Sequence, residues 1–181
     1  CSVVWDPDGP GPLGERLVVG GTFRVAGGVA ANSVAVFDFA TGTWSALDTG
    51  VWSAVPWPSL GSPVLATPSV RSIAVAPDHS LLVVGRFTHA GKALANNVAR
   101  WTGSAWLALG NGVSVSGSSA ELNDVVGLPN GDVVVCGKLG GAGVSASRWN
   151  GSSWSALPAV GSGLVAQGGQ ALLARQSGAF V

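Results

Sequence analysis

One pattern recurs three times along the chain, and a repeat of this length restricts the fold more than any other feature of the sequence. Each copy has an apolar run that ends near a glycine, a second run that ends in an aromatic residue, and a Trp-x-x-Leu segment. The copies are 17–23, 30–37 and 44–47; 81–87, 94–101 and 106–109; and 133–139, 145–149 and 154–157. Phe37 and Trp101 are 64 residues apart, as are Gly21 and Gly85, whereas Trp101 and Trp149 are separated by 48. The differences fall between the matched runs, where loops tolerate insertions.

Each copy also contains a turn, with a further apolar stretch before it. Pro7-Asp8-Gly9, Pro77-Asp78-His79 and Pro129-Asn130-Gly131 occupy the same position in the pattern. Proline sets φ at the first corner, and Asp or Asn can bond its own backbone, so all three segments predict turns. The apolar stretches that precede them are 2–5, 72–76 and 125–128. Each copy is therefore predicted to form four antiparallel strands, a to d, joined in chain order as a meander.

Composition and charge agree with a packed protein and exclude two classes of partner. The chain is 47% hydrophobic and 10% charged, with 28 glycines, whereas roughly 25% of a soluble domain is charged. This composition is typical of an all-β protein with many turns. Nine basic residues balance nine acidic ones and are scattered singly, so we expect no nucleic-acid binding, which needs several cations on one face. No apolar run approaches the ~18 residues of a membrane helix, so we expect no membrane span.

The repeats divide the chain into segments. We expect one repeat region over 1–181, with repeat 1 at 1–70, repeat 2 at 71–122, repeat 3 at 123–169 and the start of a fourth at 170–181. The chain opens within an apparent strand, so we expect it to be a piece of a longer array. Cys1 and Cys136 lie in different repeats, and Cys136 is expected to be a small buried residue of strand b.

The repeat resembles the kelch motif in two respects. These are a diglycine after strand b, at Val18-Val19-Gly20-Gly21, and aromatic residues around the c–d turn, at 34–38 and 41–44. The Arg-Trp-x-Gly-Ser-x-Trp segments at 100–106 and 148–154 are similar to kelch-related repeats of large exported bacterial proteins and of the galactose oxidase central domain. The resemblance implies an all-β fold of tandem four-stranded antiparallel blades of a β-propeller, here three repeats plus the start of a fourth. It also implies an extracellular or cell-surface location, with the remaining blades in the same polypeptide.

Catalytic chemistry finds little support in these residues. Galactose-oxidase-like enzymes bind copper through tyrosine and histidine, but this chain has no tyrosine and two histidines. His79 falls on an a–b turn and His89 on a b–c loop, at opposite ends of a sheet, so they cannot share a metal. The acidic residues fall mostly at turns, and the pattern places no pair of them at the roughly 5–10 Å separation that glycosidases use. We therefore expect no catalytic centre, metal or other cofactor.

One loop departs from the repeat and supplies the candidate binding residues. The d–a loop at 48–70 contains Trp52, Trp57 and four prolines. Because d–a and b–c loops of a meander lie at the same end of the sheets, we expect these tryptophans beside Arg24, His89 and Lys92. Two interpretations are open: the tryptophans form an exposed platform for a sugar ring or a peptide, or they fold back into a small core of the loop itself.

Our leading hypothesis is a non-catalytic interaction scaffold of an exported or cell-surface protein. It would bind a protein or glycan partner through the end of the sheets that carries the b–c and d–a loops, hereafter the b–c/d–a face. The alternative is that these repeats support a larger secreted enzyme, an oxidase or a glycan-active one, whose active site lies outside this chain. A glycan-binding lectin is a third hypothesis, in which Trp52 or Trp57 stacks on the sugar.

Overall fold

A computed structural model describes residues 1–53, 68–113, 120–139 and 146–158 of the chain. The predicted start of a fourth repeat, 170–181, and Trp57 lie outside these residues. The strands of the described part, in chain order, are β1 (Ser2–Trp5), β2 (Arg16–Gly20), β3 (Val25–Ala26), β4 (Val29–Ala30), β5 (Val34–Asp38), β6 (Thr43–Ala46), β7 (Val51–Trp52), β8 (Ser69–Val75), β9 (Leu81–Arg86), β10 (His89–Ala90), β11 (Ala93–Leu94), β12 (Val98–Trp101), β13 (Trp106–Ala108), β14 (Glu121–Gly127), β15 (Val133–Lys138), β16 (Ala146–Trp149) and β17 (Trp154–Ala156).

Three four-stranded antiparallel sheets correspond to the three repeats. Sheet 1 has the order β1-β2-β5-β6, sheet 2 has β8-β9-β12-β13, and sheet 3 has β14-β15-β16-β17. In each sheet the strands predicted as a, b, c and d are neighbours in that order. The prediction of an all-β fold built from antiparallel meanders is therefore confirmed.

Local side-chain chemistry explains the short c–d hairpins. In the third repeat the Asn150 carboxamide oxygen accepts hydrogen bonds from the backbone N–H groups of Ser152 and Ser153, at 3.0 and 2.9 Å. This is the bond by which asparagine stabilises a turn. The two aromatic residues that flank each hairpin pack together, with ring centroids 5.5 Å apart for Trp149 and Trp154. The corresponding pairs are Phe37–Trp44 at 5.1 Å and Trp101–Trp106 at 5.3 Å.

Strand β9, in the middle of the described sheets, is buried on both faces. Leu81 and Val83 belong to an apolar cluster shared with sheet 1. Leu82 and Val84 belong to a second cluster shared with sheet 3. All four side chains are fully buried, as expected for an apolar run that does not alternate with polar residues. Sheet 2 is thus packed face to face between sheets 1 and 3.

Strand a begins earlier than the pattern predicted. Strands β8 and β14 start at Ser69 and Glu121, three and four residues before the apolar stretches 72–76 and 125–128 that predicted them. Each contains a bulge, because the register with strand b shifts between Val70 and Ser72 in β8 and between Leu122 and Asp124 in β14. A bulge inserts one extra residue and interrupts the regular order of inward and outward side chains. The apolar stretches that predicted strand a begin only after the bulge, so they did not show where the strands start.

The sheets are joined at both edges. At one edge the a strands of consecutive sheets lie in contact, β1 against β8 and β8 against β14. At the other edge a tryptophan of strand d reaches the preceding sheet. The Trp106 indole N–H donates to the Leu47 carbonyl and that of Trp154 donates to the Leu109 carbonyl, both at 2.9 Å. The same side chain therefore makes the same connection at both boundaries between sheets.

Candidate functional site

A small three-stranded sheet, hereafter the minisheet, joins the segment after sheet 1 to the b–c hairpin of repeat 2. Its order is β11-β10-β7. His89 lies opposite both Trp52 and Leu94, and Ala90 lies opposite Val51. Because directly opposite residues of antiparallel strands project from the same face, Trp52, His89 and Leu94 form one row. We refer to these three residues as the outer row.

The two faces of the minisheet differ sharply in exposure. On the inner face, Val51 and Ala90 are completely buried. On the outer face, Trp52 is 37% exposed and Leu94 is 56% exposed, and His89 is half-buried between them. The minisheet therefore presents apolar and aromatic surface outward while its other face is anchored in the core.

The Trp52 side chain is held in one orientation. Its indole stacks on the His89 imidazole, with centroids 4.1 Å apart and planes inclined by 14°. Its Nε1–H donates to the Gly91 carbonyl at 2.8 Å, and the His89 Nδ1 atom lies 2.8 Å from the Thr88 hydroxyl oxygen. A side chain that is already ordered loses less conformational entropy when a ligand binds.

Hydrogen bonds between Asn32 and the turn at 49–51, hereafter the asparagine bracket, position β7. The Asn32 carboxamide donates to the Thr49 carbonyl at 2.8 Å, and the Asn32 carbonyl accepts from the Val51 N–H at 3.0 Å. The turn requires glycine at position 50. Gly50 has a left-handed backbone with φ of 70°, and a Cβ there would collide with the Asn32 carbonyl. The chain after strand d is therefore turned back toward the b–c end, where the Gly91 N–H donates to the Gly50 carbonyl at 2.9 Å.

Repeat 2 contains the same asparagine bracket, formed by Asn96 and the turn at 111–113. The Asn96 carboxamide donates to the Asn111 carbonyl at 2.8 Å, and the Asn96 carbonyl accepts from the Val113 N–H, also at 2.8 Å. Gly112 has φ of 70° and takes the place of Gly50. The chain that follows, 114–119, lies outside the described residues.

Of the four predicted candidate residues in the described ranges, three lie in the minisheet and its turn, and Arg24 lies beside the β3–β4 hairpin. Trp52 and His89 are in direct contact, and Lys92 is exposed in the turn between β10 and β11. Arg24 is also exposed, but it precedes the β3–β4 hairpin of repeat 1, which corresponds to β10–β11, and is not part of the minisheet. The segment 48–70, expected to be a loop, contains β7 and the first two residues of β8.

Leu94 is the member of the outer row that the sequence reasoning missed. Its position follows from the two-residue turn Gly91-Lys92, which fixes the register so that Leu94 lies opposite His89. The length of the turn and its glycine were the available signals. The pairing with Trp52 had no such local signal, because it depends on β7, which lies far away in the sequence.

Asp78 and Asp132, which follow the a strands of sheets 2 and 3, are each paired with an arginine of their own sheet. The Ser80 hydroxyl, by its hydrogen bond, and the Arg100 guanidinium hold the pKa of Asp78 below its ordinary value. Asn130 and Arg148 do the same for the pKa of Asp132. A general acid near neutral pH needs a raised carboxyl pKa, and these two carboxyls have the opposite shift.

The described ranges contain no group of three or more His, Cys, Asp or Glu side chains arranged to hold a metal ion. Within the same part of the chain, no helix has the length and hydropathy to cross a membrane. In comparisons with known proteins, the chain matches no protein-family model and no curated protein.

Proposed function

We propose that the three sheets are consecutive blades of a β-propeller, or of a propeller-like array, in an exported or cell-surface protein. Two features support this arrangement. Each sheet is a four-stranded meander packed face to face on the next, and the a strands of neighbouring sheets are in contact. Blades of a propeller converge in this way at the inner strand.

In this proposal the chain is a non-catalytic interaction scaffold that binds a partner through the b–c/d–a face. The outer row is the observation that carries it. Trp52 and Leu94 remain exposed although their strands are hydrogen-bonded and backed by buried residues. Tryptophan is enriched among the residues that dominate binding energy, above all where its geometry is fixed in advance.

Of the two partner classes, a protein and a glycan, the outer row favours a protein. Leu94 extends the apolar surface beside the indole, which suits an apolar side chain of a peptide. The indole N–H of Trp52 is already bonded to the Gly91 carbonyl, so it is not available to a sugar hydroxyl. The exposed Lys92 ammonium adds a donor at the edge of the row for a carbonyl or carboxylate of the peptide.

A binding selection tests this proposal. A displayed peptide library and a glycan array would be probed with the purified chain, and the binders retested against Trp52→Ala and Leu94→Asp. Leu107→Asp is the matched control, because Leu107 is 49% exposed on strand d of repeat 2. We expect peptide binders that are lost in the first two variants and kept in the third.

Two results would contradict the proposal. One is a set of binders that Trp52→Ala leaves unaffected, and the other is the absence of binders in both libraries. Glycans that bind in a Trp52-dependent manner would keep the site but reverse the choice of partner. Thermal unfolding of each variant shows whether a loss of binding comes from the surface or from the fold.

A further inference from the structure

A groove of about 330 Å³ opens between sheets 2 and 3, at the end of the sheets opposite the outer row. It lies between the a–b turns of the two repeats, and its lining includes Ala76, Pro77, Pro129 and Gly131. Its volume falls in the range of about 300–1,000 Å³ found for small-molecule sites. The residues of the outer row do not line it.

The corresponding place between sheets 1 and 2 is occupied by two rings of the protein itself. The indole of Trp5 is 2% exposed, and its Nε1–H donates to the His79 carbonyl at 2.6 Å. The His79 imidazole lies against Gly9, where a Cβ would be only 2.7 Å from the His79 Cε1 atom. A heteroaromatic ring with an N–H donor thus bridges the two repeats at this boundary.

The repeat identifies the residues that replace these rings at the next boundary. Val4 lies opposite Leu17 and Val75 lies opposite Leu81, and Leu17 and Leu81 occupy the same position in strand b. The residue after Val4 is Trp5, and the residue after Val75 is Ala76. Ala76 therefore takes the place of Trp5 at the second boundary.

Gly131 takes the place of His79. Each is the third residue of its proline turn, and both have left-handed backbones, with φ of 87° and 62°. Ala76 and Gly131 are therefore small at the two positions where the first boundary carries Trp5 and His79, and the groove is the space that these two rings would fill.

We propose that this groove is a binding site for a neutral, planar heteroaromatic ring that carries an N–H donor, of which indole is the simplest example. The ring takes the place that Trp5 takes at the preceding boundary. Its N–H donates to the Gly131 carbonyl, the counterpart of the His79 carbonyl. The rings of Pro77 and Pro129, which line the groove, supply apolar contacts.

The charges around the groove favour a neutral ligand. Asp78 on one wall is paired with Arg100 at 3.1 Å. Asp132 on the other wall is paired with Arg148 of its own sheet and also accepts a hydrogen bond from Asn130. Each carboxylate is compensated within the protein, so a charged ligand would have to compete with an existing ion pair.

Titration of the isotope-labelled chain with indole tests the proposal directly. We expect saturable shifts of the backbone amide signals of both a–b turns, 76–80 and 128–132, in an NMR correlation spectrum. 1-Methylindole, which keeps the ring but lacks the N–H, should bind roughly three- to tenfold more weakly, the effect of one hydrogen bond. Equal affinity for the two compounds, or no shift in either turn, would overturn the assignment.

A matched pair of variants locates the site. Gly131→His places in the groove the residue that His79 supplies at the first boundary. At that boundary histidine already adopts the left-handed backbone conformation that Gly131 has. Gly151→His is the control, because Gly151 is also left-handed, with φ of 92°, and a Cβ has open space at both positions. Indole binding should be lost in Gly131→His and kept in Gly151→His. Unchanged binding in Gly131→His would rule out the groove.

The ring could come from a free small molecule or from a tryptophan side chain of a partner. N-acetyl-tryptophanamide, which carries the ring on a capped backbone, distinguishes the two sources. Binding at least as tight as that of indole indicates a side chain of a partner. Binding of indole with exclusion of the capped amino acid indicates a free ligand.

Discussion

Two aspartates, Asp78 and Asp132, each stabilise the turn between strands a and b of their own sheet. Asp78 accepts hydrogen bonds from the N–H and hydroxyl of Ser80, at 3.2 and 2.6 Å. Asp132 accepts from the Asn130 carboxamide at 2.8 Å and from the Arg148 guanidinium. Each donor stabilises the ionised carboxylate, which is why the pKa of both aspartates is lowered in the folded state.

Lowering the pH should reveal how much ionised Asp132 contributes to the free energy of unfolding. Its folded pKa lies below the ordinary 3.8, so its ionised form stabilises the folded state at higher pH, and this contribution is lost as pH falls through the folded value. The free energy of unfolding should therefore fall more steeply in the parent than in Asp132→Asn between about pH 5 and pH 3. Urea unfolding at each pH measures the two slopes, and parallel curves would contradict the expectation.

The two cysteines should differ in reactivity. Burial raises the pKa of Cys136 to about 11, with a further contribution from the negative charge of Asp124, and the residue is 2% exposed. Cys1 is exposed, and both thiols are free. Because the thiolate is the reactive form, iodoacetamide at mildly alkaline pH should modify Cys1 in the folded chain and Cys136 only after unfolding. Peptide mass mapping with and without denaturant measures this, and rapid labelling of folded Cys136 would contradict it.

At the scale of elements, strand d connects each sheet to the one before it. Trp106 and Trp154 each donate an indole N–H to a leucine carbonyl of the preceding sheet. Trp44 has the same position on sheet 1, and its indole makes no such bond within the described residues. The three tryptophans therefore form a graded series for one interaction.

Replacement by phenylalanine should follow that series. Trp106→Phe removes the indole donor from the Leu47 carbonyl, which keeps its hydrogen bond from the Gly50 N–H. The variant should therefore lower the free energy of unfolding by about 0.5–1.5 kcal/mol, the net effect of one hydrogen bond. Trp154 is less buried than Trp106, so Trp154→Phe should cost less, and Trp44→Phe should cost least. Urea denaturation of the three variants gives the ranking, and equal losses would mean that ring packing dominates over the hydrogen bond.

At the scale of the whole molecule, stability is concentrated in sheet 2, because it contributes to both apolar clusters. Strand β9 alternates its side chains between these clusters, so it cannot exchange its amides without loosening both sheet boundaries. Hydrogen exchange followed by mass spectrometry should find the slowest amides in β9 and faster exchange in β2 of sheet 1 and β16 of sheet 3. Faster exchange in β9 than in these two strands would contradict a shared core.

The sequence by itself determined the features that depend on neighbouring residues. The repeated apolar runs, the proline turns and the hairpins flanked by aromatic residues predicted the all-β meanders, because strand pairing across a short turn is set by local backbone chemistry. The burial of Cys136 in strand b also followed from its apolar neighbours. The starts of β8 and β14 were placed too late, because a bulge separates the first residues of each strand from its apolar stretch. Lys92 lies in the turn of the b–c hairpin of repeat 2 and Arg24 lies just before that of repeat 1. Their role in binding stays a prediction, as does that of Trp57, which lies outside the described residues.

Only the tertiary structure decided which side chains meet between the repeats and which stay exposed. Trp52 stacks on His89 because β7 pairs with a strand far along the chain, and no local pattern encodes that register. The groove at Ala76 and Gly131 likewise forms where sheets 2 and 3 meet. It is open because these two small residues replace Trp5 and His79 of the previous boundary. The physical reason is the same in both cases: contacts between repeats depend on which side chains meet across a sheet boundary, and that is settled by packing in three dimensions.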